Sequence, residues 1–385
     1  SSKTSMRFAW RMATRFFGMD ARRCGRVTAG FAPEPQRLTD SWYEELVGLW
    51  QAIVVFLLSA AVLVKGGSSL AAYADEIAER MKMSRLFVGT LMLAFATSLP
   101  EVVADVTAAR ADAPDLAVGD LLGSSMANMA ILAIIDLLYR GRVWPSVELG
   151  HARVAAVAIG LTSIATLGIL TRSELGLGWV GIAPIVILLL YVLSIAWFRR
   201  MPLLARPGLD TRSIPIQKPT GWSERAAKIS LGALWLRFGL SILTIFLSAP
   251  IVTLAVKAIA EHTGVDQTFL GAALLAITTS LPELVASIAS IRIGAYDMAV
   301  GNLFGSNVAN MSVLLFADVA YTDGPILAAV SPTQAIAGVS AILMMAIAVA
   351  AIVGESERTR VRQFEPDAWV LLLTYGACLA AIALY

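Results

Sequence analysis

From residue 47 to the C-terminus, apolar runs of about 20 residues alternate with short polar gaps. A helix rises about 1.5 Å per residue, so each run is long enough to cross a hydrocarbon layer of about 30 Å. Ten spans are expected, at about 47–64, 87–109, 115–138, 152–171, 178–198, 232–259, 269–291, 297–320, 331–353 and 367–385. The pattern predicts an all-α polytopic membrane protein. One long polar segment interrupts it, Arg199 to Ser230, with Pro202, Pro207, Pro215 and Pro219 and seven Lys/Arg against Asp210 and Glu224. It reads as a linker, 199–230, between two bodies of five helices each, 47–198 and 231–385. Residues 1–46 are the least hydrophobic stretch. Met6 to Arg26 is rich in Arg and aromatics, which suits an interfacial helix or a transit peptide, and equally a poorly ordered tail.

The two bodies are related. The segment GTLMLAFATSLPEVVADV from Gly89 aligns with GAALLAITTSLPELVASI from Gly271 at a constant offset of 182, and the register holds without a gap through GSSMAN to GSNVAN. About half of the aligned positions are identical, which marks an internal duplication. Five spans is an odd number, so the second repeat enters the membrane from the opposite side. Inverted repeats are an architecture of secondary transporters, with substrate near the midplane where broken helices meet.

Composition agrees with the pattern. The chain is 57% hydrophobic and 15% charged, with a mean hydropathy of +0.73; soluble domains carry about 25% charged residues. A soluble enzyme is excluded, and a net charge of +2 is too small for a nucleic-acid partner. Cys24 and Cys378, at opposite ends, make neither a disulfide framework nor a metal cluster. The charges report topology instead. With the N-terminus outside, inside loops hold 18 Lys/Arg and outside loops only Arg110 and Arg172. The tail runs against this, since Lys3 and seven arginines precede the first span.

Glu101 and Glu283 each fall inside an apolar run, where an ionised carboxylate costs at least a few kcal/mol. Compensation by an intramembrane base has two candidates, Arg237 and Lys257, both near helix ends. Each Glu follows a proline, which removes one N–H and frees the carbonyl four residues earlier, Ala96 or Thr278. Thr97 and Ser98, or Thr279 and Ser280, stand four and three residues before the carboxylate, on the same side of a helix. This is an all-oxygen set, the chemistry that hard cations such as Na⁺ and Ca²⁺ require. The next span of each repeat adds Ser124 with Asn128, or Ser306 with Asn310, again four apart. Gly119 and Gly123, with Gly301 and Gly305, leave room for close helix approach.

The doubled TSLPE and GS-x-x-A-N elements, in inverted halves, resemble the α-repeats of the cation/calcium exchanger superfamily, most closely its prokaryotic sodium/calcium exchangers. The resemblance covers the ten-helix body and excludes the tail. It implies that Glu101 and Glu283 ligate Ca²⁺ and share Na⁺ sites, and that Thr97 and Thr279 add oxygens. It further implies that Ser98, Ser280, Ser124 and Ser306 complete outer Na⁺ sites beside the carbonyls of Ala94 and Ala276. Asn128 and Asn310 would line the middle, and spans 47–64 and 232–259 would slide against the core. The expected protein is a non-enzymatic antiporter of the bacterial inner membrane, with the linker cytoplasmic and no cofactor beyond its transported ions.

Two departures bear on coupling. Where sodium/calcium members commonly carry Asp, this chain has Asn310, so two carboxylates remain at the centre. One Ca²⁺, two Na⁺ or two protons would each neutralise them. Na⁺-driven Ca²⁺ exchange is the leading expectation, H⁺-coupled exchange of Ca²⁺ or another divalent ion the alternative, and a channel or non-transporting ion sensor a third reading. Asp105 and Asp120, matched by Ser287 and Asn302, are the second departure. Asp105 reads as a third acid near the site or, preferably, as a group at a water-filled mouth. His151 and His262 are expected in loops, in water.

Overall fold

The computed structural model describes residues 48–110, 112–139, 143–199, 226–263, 279–354 and 366–384. Apart from a two-stranded hairpin, its regular elements are helices: α1 Leu49–Arg80, α2 Arg85–Thr97, α3 Leu99–Arg110, α4 Pro114–Leu138, α5 Gly150–Thr171, α6 Ile182–Arg199, α7 Leu231–Thr263, α8 Leu281–Arg292, α9 Tyr296–Ala320, α10 Ile326–Ala329, α11 Gln334–Gly354 and α12 Pro366–Leu384, with one 3₁₀ turn at Trp144–Ser146.

Local chemistry sets several boundaries. The Ser84 hydroxyl accepts from the Phe87 N–H at 3.1 Å and caps α2. Pro114 opens α4, where a missing N–H costs nothing. Arg172, at φ 46°, closes α5 in the left-handed conformation. The hairpin pairs Gly176–Leu177 with Val180–Gly181, and Gly178, at φ 67°, supplies its turn.

Among the described residues six helices are long and apolar enough to cross a membrane, or seven if α2 and α3 count as one broken span; α6 and α12 hold shorter apolar stretches, Ile182–Phe198 and Pro366–Ile382. The fold is therefore all-α and polytopic, while the expected count of ten is not reached by these criteria. The first span extends well past residue 64, because Gly66 to Arg80 continues the helix. At 32 residues α1 is about 48 Å long. The fifth begins at Ile182, after the hairpin. The first part of the expected span 269–291 lies outside the described residues, as do all of 1–46 and most of the linker.

Burial divides the helices into two kinds. The most apolar stretches of α4 and α9 are 78% buried, against 33% for α1 and 28% for α7. The core lies around α4 and α9, where Leu121, Met126, Leu303 and Phe304 pack with Met344 of α11. Leu57 and Leu58 of α1, Leu189 and Leu193 of α6 and Leu236 and Leu247 of α7 are exposed, as a lipid-facing surface requires. Glycines set the close contacts. A Cβ on Gly305 of α9 would overlap the backbone of Thr90 in α2, and one on Gly67 of α1 would stand 2.6 Å from Val285 of α8.

The duplication extends to the helix ends. Asp136 near the end of α4 accepts from the Val143 N–H at 3.0 Å. Its equivalent at the offset of 182, Asp318 of α9, accepts from the N–H groups of Ile326 and Gly181, both at 2.6 Å. Each carboxylate satisfies backbone donors where the chain leaves its helix. His151 departs from expectation: it is 0% exposed at the start of α5. Its Nε2 meets Asp297 Oδ1 at 3.1 Å, and the same oxygen accepts the Glu148 N–H at 2.7 Å. The contact ties the α4 to α5 connection to the first turn of α9, a tertiary pairing that removes His151 from water. His262 ends α7, and its side chain lies outside the described residues.

Candidate ion-binding site

Glu101 and Glu283 occupy the first turns of α3 and α8, each directly after a proline. A proline has no N–H with which to continue the helix ladder, so the chain bends just before it. The axes of Arg85–Thr97 and Leu99–Arg110 differ by 44°. Ser98, at the break, has φ −86° and ψ 6°; Ser280 has φ −83° and ψ 2°. The two repeats therefore present their carboxylates from the same backbone conformation, at helix N-termini whose free N–H groups favour negative charge.

Both carboxylates are sealed in: Glu101 is 1% exposed and Glu283 0%. Among the described residues no Lys or Arg pairs with either, the Lys/Arg ion pairs being Arg80 with Glu76 and Arg85 with Asp75. Arg237 points outward from α7. The side chain of Lys257 lies outside the described residues.

The sequence-predicted polar residues converge here, and they bond across the repeat boundary. Ser98 of the first repeat donates to Glu283 Oε1 at 3.1 Å, and Ser306 of the second donates to the same oxygen at 3.2 Å. Thr279 Oγ1 meets Ser124 Oγ at 3.3 Å and donates to Asp120 Oδ1 at 3.3 Å. Thr97 donates to Asn302 Oδ1 at 3.2 Å. Asn128 donates to Asn307 Oδ1 at 2.8 Å, and Asn307 returns a bond to the Ser125 carbonyl at 3.2 Å. Asn307 and Ser125 are absent from the sequence-based set, and Asn302 enters it only as the counterpart of Asp120. Their signal was there, since Asn302 and Asn307 are the repeat equivalents of Asp120 and Ser125 within otherwise apolar spans.

Several polar atoms at the centre have no hydrogen-bond partner. They are Glu101 Oε2, Glu283 Oε2, Asn128 Oδ1, both polar atoms of the Asn310 amide, Ser280 Oγ and Asp120 Oδ2. An orphaned buried polar atom costs about 1–3 kcal/mol, more when charged, so a cluster of them marks a place built for something else. Nearly all are hard oxygen acceptors. No three Asp, Glu, His or Cys side chains among the described residues form a metal-binding group by themselves. A bound ion must then draw largely on hydroxyl, amide and carbonyl oxygens, which suits Ca²⁺ or Na⁺ rather than a transition metal. The Ala94 carbonyl already accepts from the Ser98 N–H at 3.0 Å and the Thr97 hydroxyl at 3.2 Å. Ala276 lies outside the described residues.

Asp105 does not sit in a water-filled mouth. It is 1% exposed and Asp120 4% exposed, and their carboxyl groups face each other close to Glu101. The turn of helix between Glu101 and Asp105 places both acids on the side of α3 that packs against α4, which is why neither reaches solvent.

The family model described as sodium/calcium exchanger protein matches residues 51–200 and again 233–384. The putative antiporter CaxA of Alkalimonas amylolytica is 28% identical over 334 residues, 86% of this chain and 94% of its own length. The inner membrane protein YrbG of Escherichia coli is 27% identical over 279 residues, 71% of this chain and 81% of its own length. A solved structure of the sodium-calcium exchanger NCX_Mj, soaked with Na⁺ and Ca²⁺, shares the fold at a TM-score of 0.62 and 20% identity, covering 86% of this chain and 97% of that one. With both halves matched by one model, on a fold of broken helices around two buried glutamates, the chain is a multi-pass membrane protein of the sodium/calcium exchanger family.

Proposed function

We propose that this protein exchanges Ca²⁺ for Na⁺ by alternating access across the bacterial inner membrane. The reading is supported above all by the two buried glutamates, which come from opposite repeats, lack any basic partner among the described residues and are surrounded by orphaned oxygens. Glu101 and Glu283 supply the charge that Ca²⁺ or Na⁺ neutralises. Thr97, Thr279, Asn128 and Asn310 supply neutral oxygens to the middle of the cluster, and Ser98, Ser280, Ser124 and Ser306 to its outer sites. The carbonyls of Ala94 and Ala276 belong to the same proposed set, the first after release of its two present donors.

Exchange follows from competition for one set of ligands. A cavity holding two uncompensated carboxylates is unstable when closed away from water, so the core switches sides only when its charge is balanced. The sliding elements are α1 and α7. They pack along each other, with Ser69 Oγ and Ser241 Oγ 3.0 Å apart, and Gly66 and Gly67 give α1 a smooth face against α7 and α8.

A second reading, H⁺-coupled exchange, is favoured by one observation: Asn128 and Asn310 are both amides, so neither adds charge at the middle positions. Ca²⁺ uptake into proteoliposomes under an imposed Na⁺ gradient, and separately under an imposed pH gradient, distinguishes the two. Uptake driven by Na⁺ alone is expected. Uptake driven only by the pH gradient would replace Na⁺ with H⁺, and Ca²⁺ flux independent of both would point to a channel.

A further inference from the structure

The repeat offset relates Asp105 to Ser287 and Asp120 to Asn302, and the two repeats treat this place differently. In the second repeat the pair is neutral and satisfied. Asn302 Nδ2 donates to Ser287 Oγ at 3.0 Å and to the Glu283 carbonyl at 3.3 Å, and Ser287 donates onward to the Ala299 carbonyl at 3.3 Å. In the first repeat two carboxyl groups face each other instead. They are within hydrogen-bond reach of each other, and since ionised carboxylates only accept, a shared proton or a cation must hold the contact.

Asp105 Oδ1, Asp105 Oδ2 and Asp120 Oδ2 are buried without a hydrogen-bond partner. The fourth oxygen, Asp120 Oδ1, accepts from Thr279 of the opposite repeat at 3.3 Å. Two like charges so enclosed are strongly destabilising unless one proton is shared between them or a cation neutralises them. Since the same position in the second repeat is closed by an ordinary side-chain hydrogen bond, the fold itself does not demand acids here. Three orphaned carboxylate oxygens and one hydroxyl are too few for Ca²⁺, which takes six to eight oxygen ligands.

We propose that Asp105 and Asp120, with the Thr279 hydroxyl, form an additional binding site for a monovalent hard cation of the Na⁺ class, present on one side only of the otherwise mirrored cluster. The proposal rests on the ion-exchange reading of the central site and extends it. A monovalent ion neutralises one of the two carboxylates and the other keeps its proton, so occupancy leaves the balance at Glu101 and Glu283 unchanged.

The test is equilibrium binding of radiolabelled Na⁺ to the purified full-length protein at saturating Na⁺. D105S/D120N copies the second repeat's neutral pair into the first, and D120N alone is the more conservative variant. Both are expected to bind one Na⁺ fewer per chain than the wild type. Equal numbers in wild type and both variants would overturn the proposal and leave a shared proton as what holds the carboxyls together. Radiolabelled Ca²⁺ binding by the wild type and by E283Q, measured on the same preparations, judges the central reading separately. Failure of the wild type to bind Ca²⁺ would sink that reading while the Na⁺ count still decides the Asp105 and Asp120 site.

Discussion

One oxygen of Glu283 accepts hydroxyl bonds from Ser98 and Ser306, while the other has no partner. That half-satisfied state suits the proposed cation ligand: oriented by its neighbours, with a lone-pair face left open. Hydrogen bonds to charged groups contribute about 1.5–3 kcal/mol, so the orienting hydroxyls are expected to matter measurably. S306A should raise the Na⁺ concentration that half-activates Ca²⁺ efflux by about tenfold. An unchanged activation curve would remove Ser306 from the Na⁺ sites. At this scale the glutamates were legible in the sequence, because a carboxylate inside an apolar run needs a reason to be there. The burial of Asp105 and His151 was not. Whether a polar side chain meets water depends on what packs over it, and their partners, Asp120 of α4 and Asp297 of α9, come from other elements.

Among the elements, α2 and α9 approach backbone to backbone, through Gly89, Gly301 and Gly305. The π-helical turn Val88–Leu93 of α2 runs along these glycines, and the Ala94–Thr97 turn that follows delivers Thr97 and Ser98 to the site. A Cβ on Gly305 would strike the Thr90 backbone, which cannot rotate away as a side chain can. G305A should therefore destabilise the protein by about 1–3 kcal/mol, visible as a lower Tm in detergent. Gly160 of α5 has open space around its Cβ position, so G160A should leave the Tm unchanged or raise it slightly. A G305A melt matching the wild type would show that α2 and α9 are not packed this way. Most helix limits were readable from apolar run length, α4, α5, α9 and α11 to within a few residues. The extension of α1 past Lys65 was not, because Gly66 to Arg80 carries glycines, serines and charges that read as a loop yet pack against α7 and α8. The clamping role of Asp318 was equally hidden; D318A would strand the N–H groups of Ile326 and Gly181, and a loss of about 1–3 kcal/mol per buried group is expected.

Across the whole molecule, α4 and α9 are enclosed and, with α3 and α8, carry the clustered polar side chains, while α1 and α7 are largely exposed. The proposed alternating access needs α1 to move over α8, and Gly67 is a point of close contact between them. G67V should slow exchange at least tenfold in proteoliposomes while Ca²⁺ binding in detergent persists, since Gly67 contributes no ligand. Loss of binding and flux together would instead make α1 part of the site. The mirrored architecture was legible from one alignment at a constant offset. The asymmetry within it emerged only where the structure set Asp105 against Asp120 and Ser287 against Asn302.

Calorimetric titration of Ca²⁺ into purified wild type, E101Q, E283Q and E101Q/E283Q tests most directly whether the two repeats build one ion site. If both carboxylates hold the same ion, either single variant abolishes high-affinity binding as completely as the double variant, a strongly non-additive cycle. If each single variant retains high-affinity binding at half the stoichiometry, the glutamates serve separate sites and the account fails.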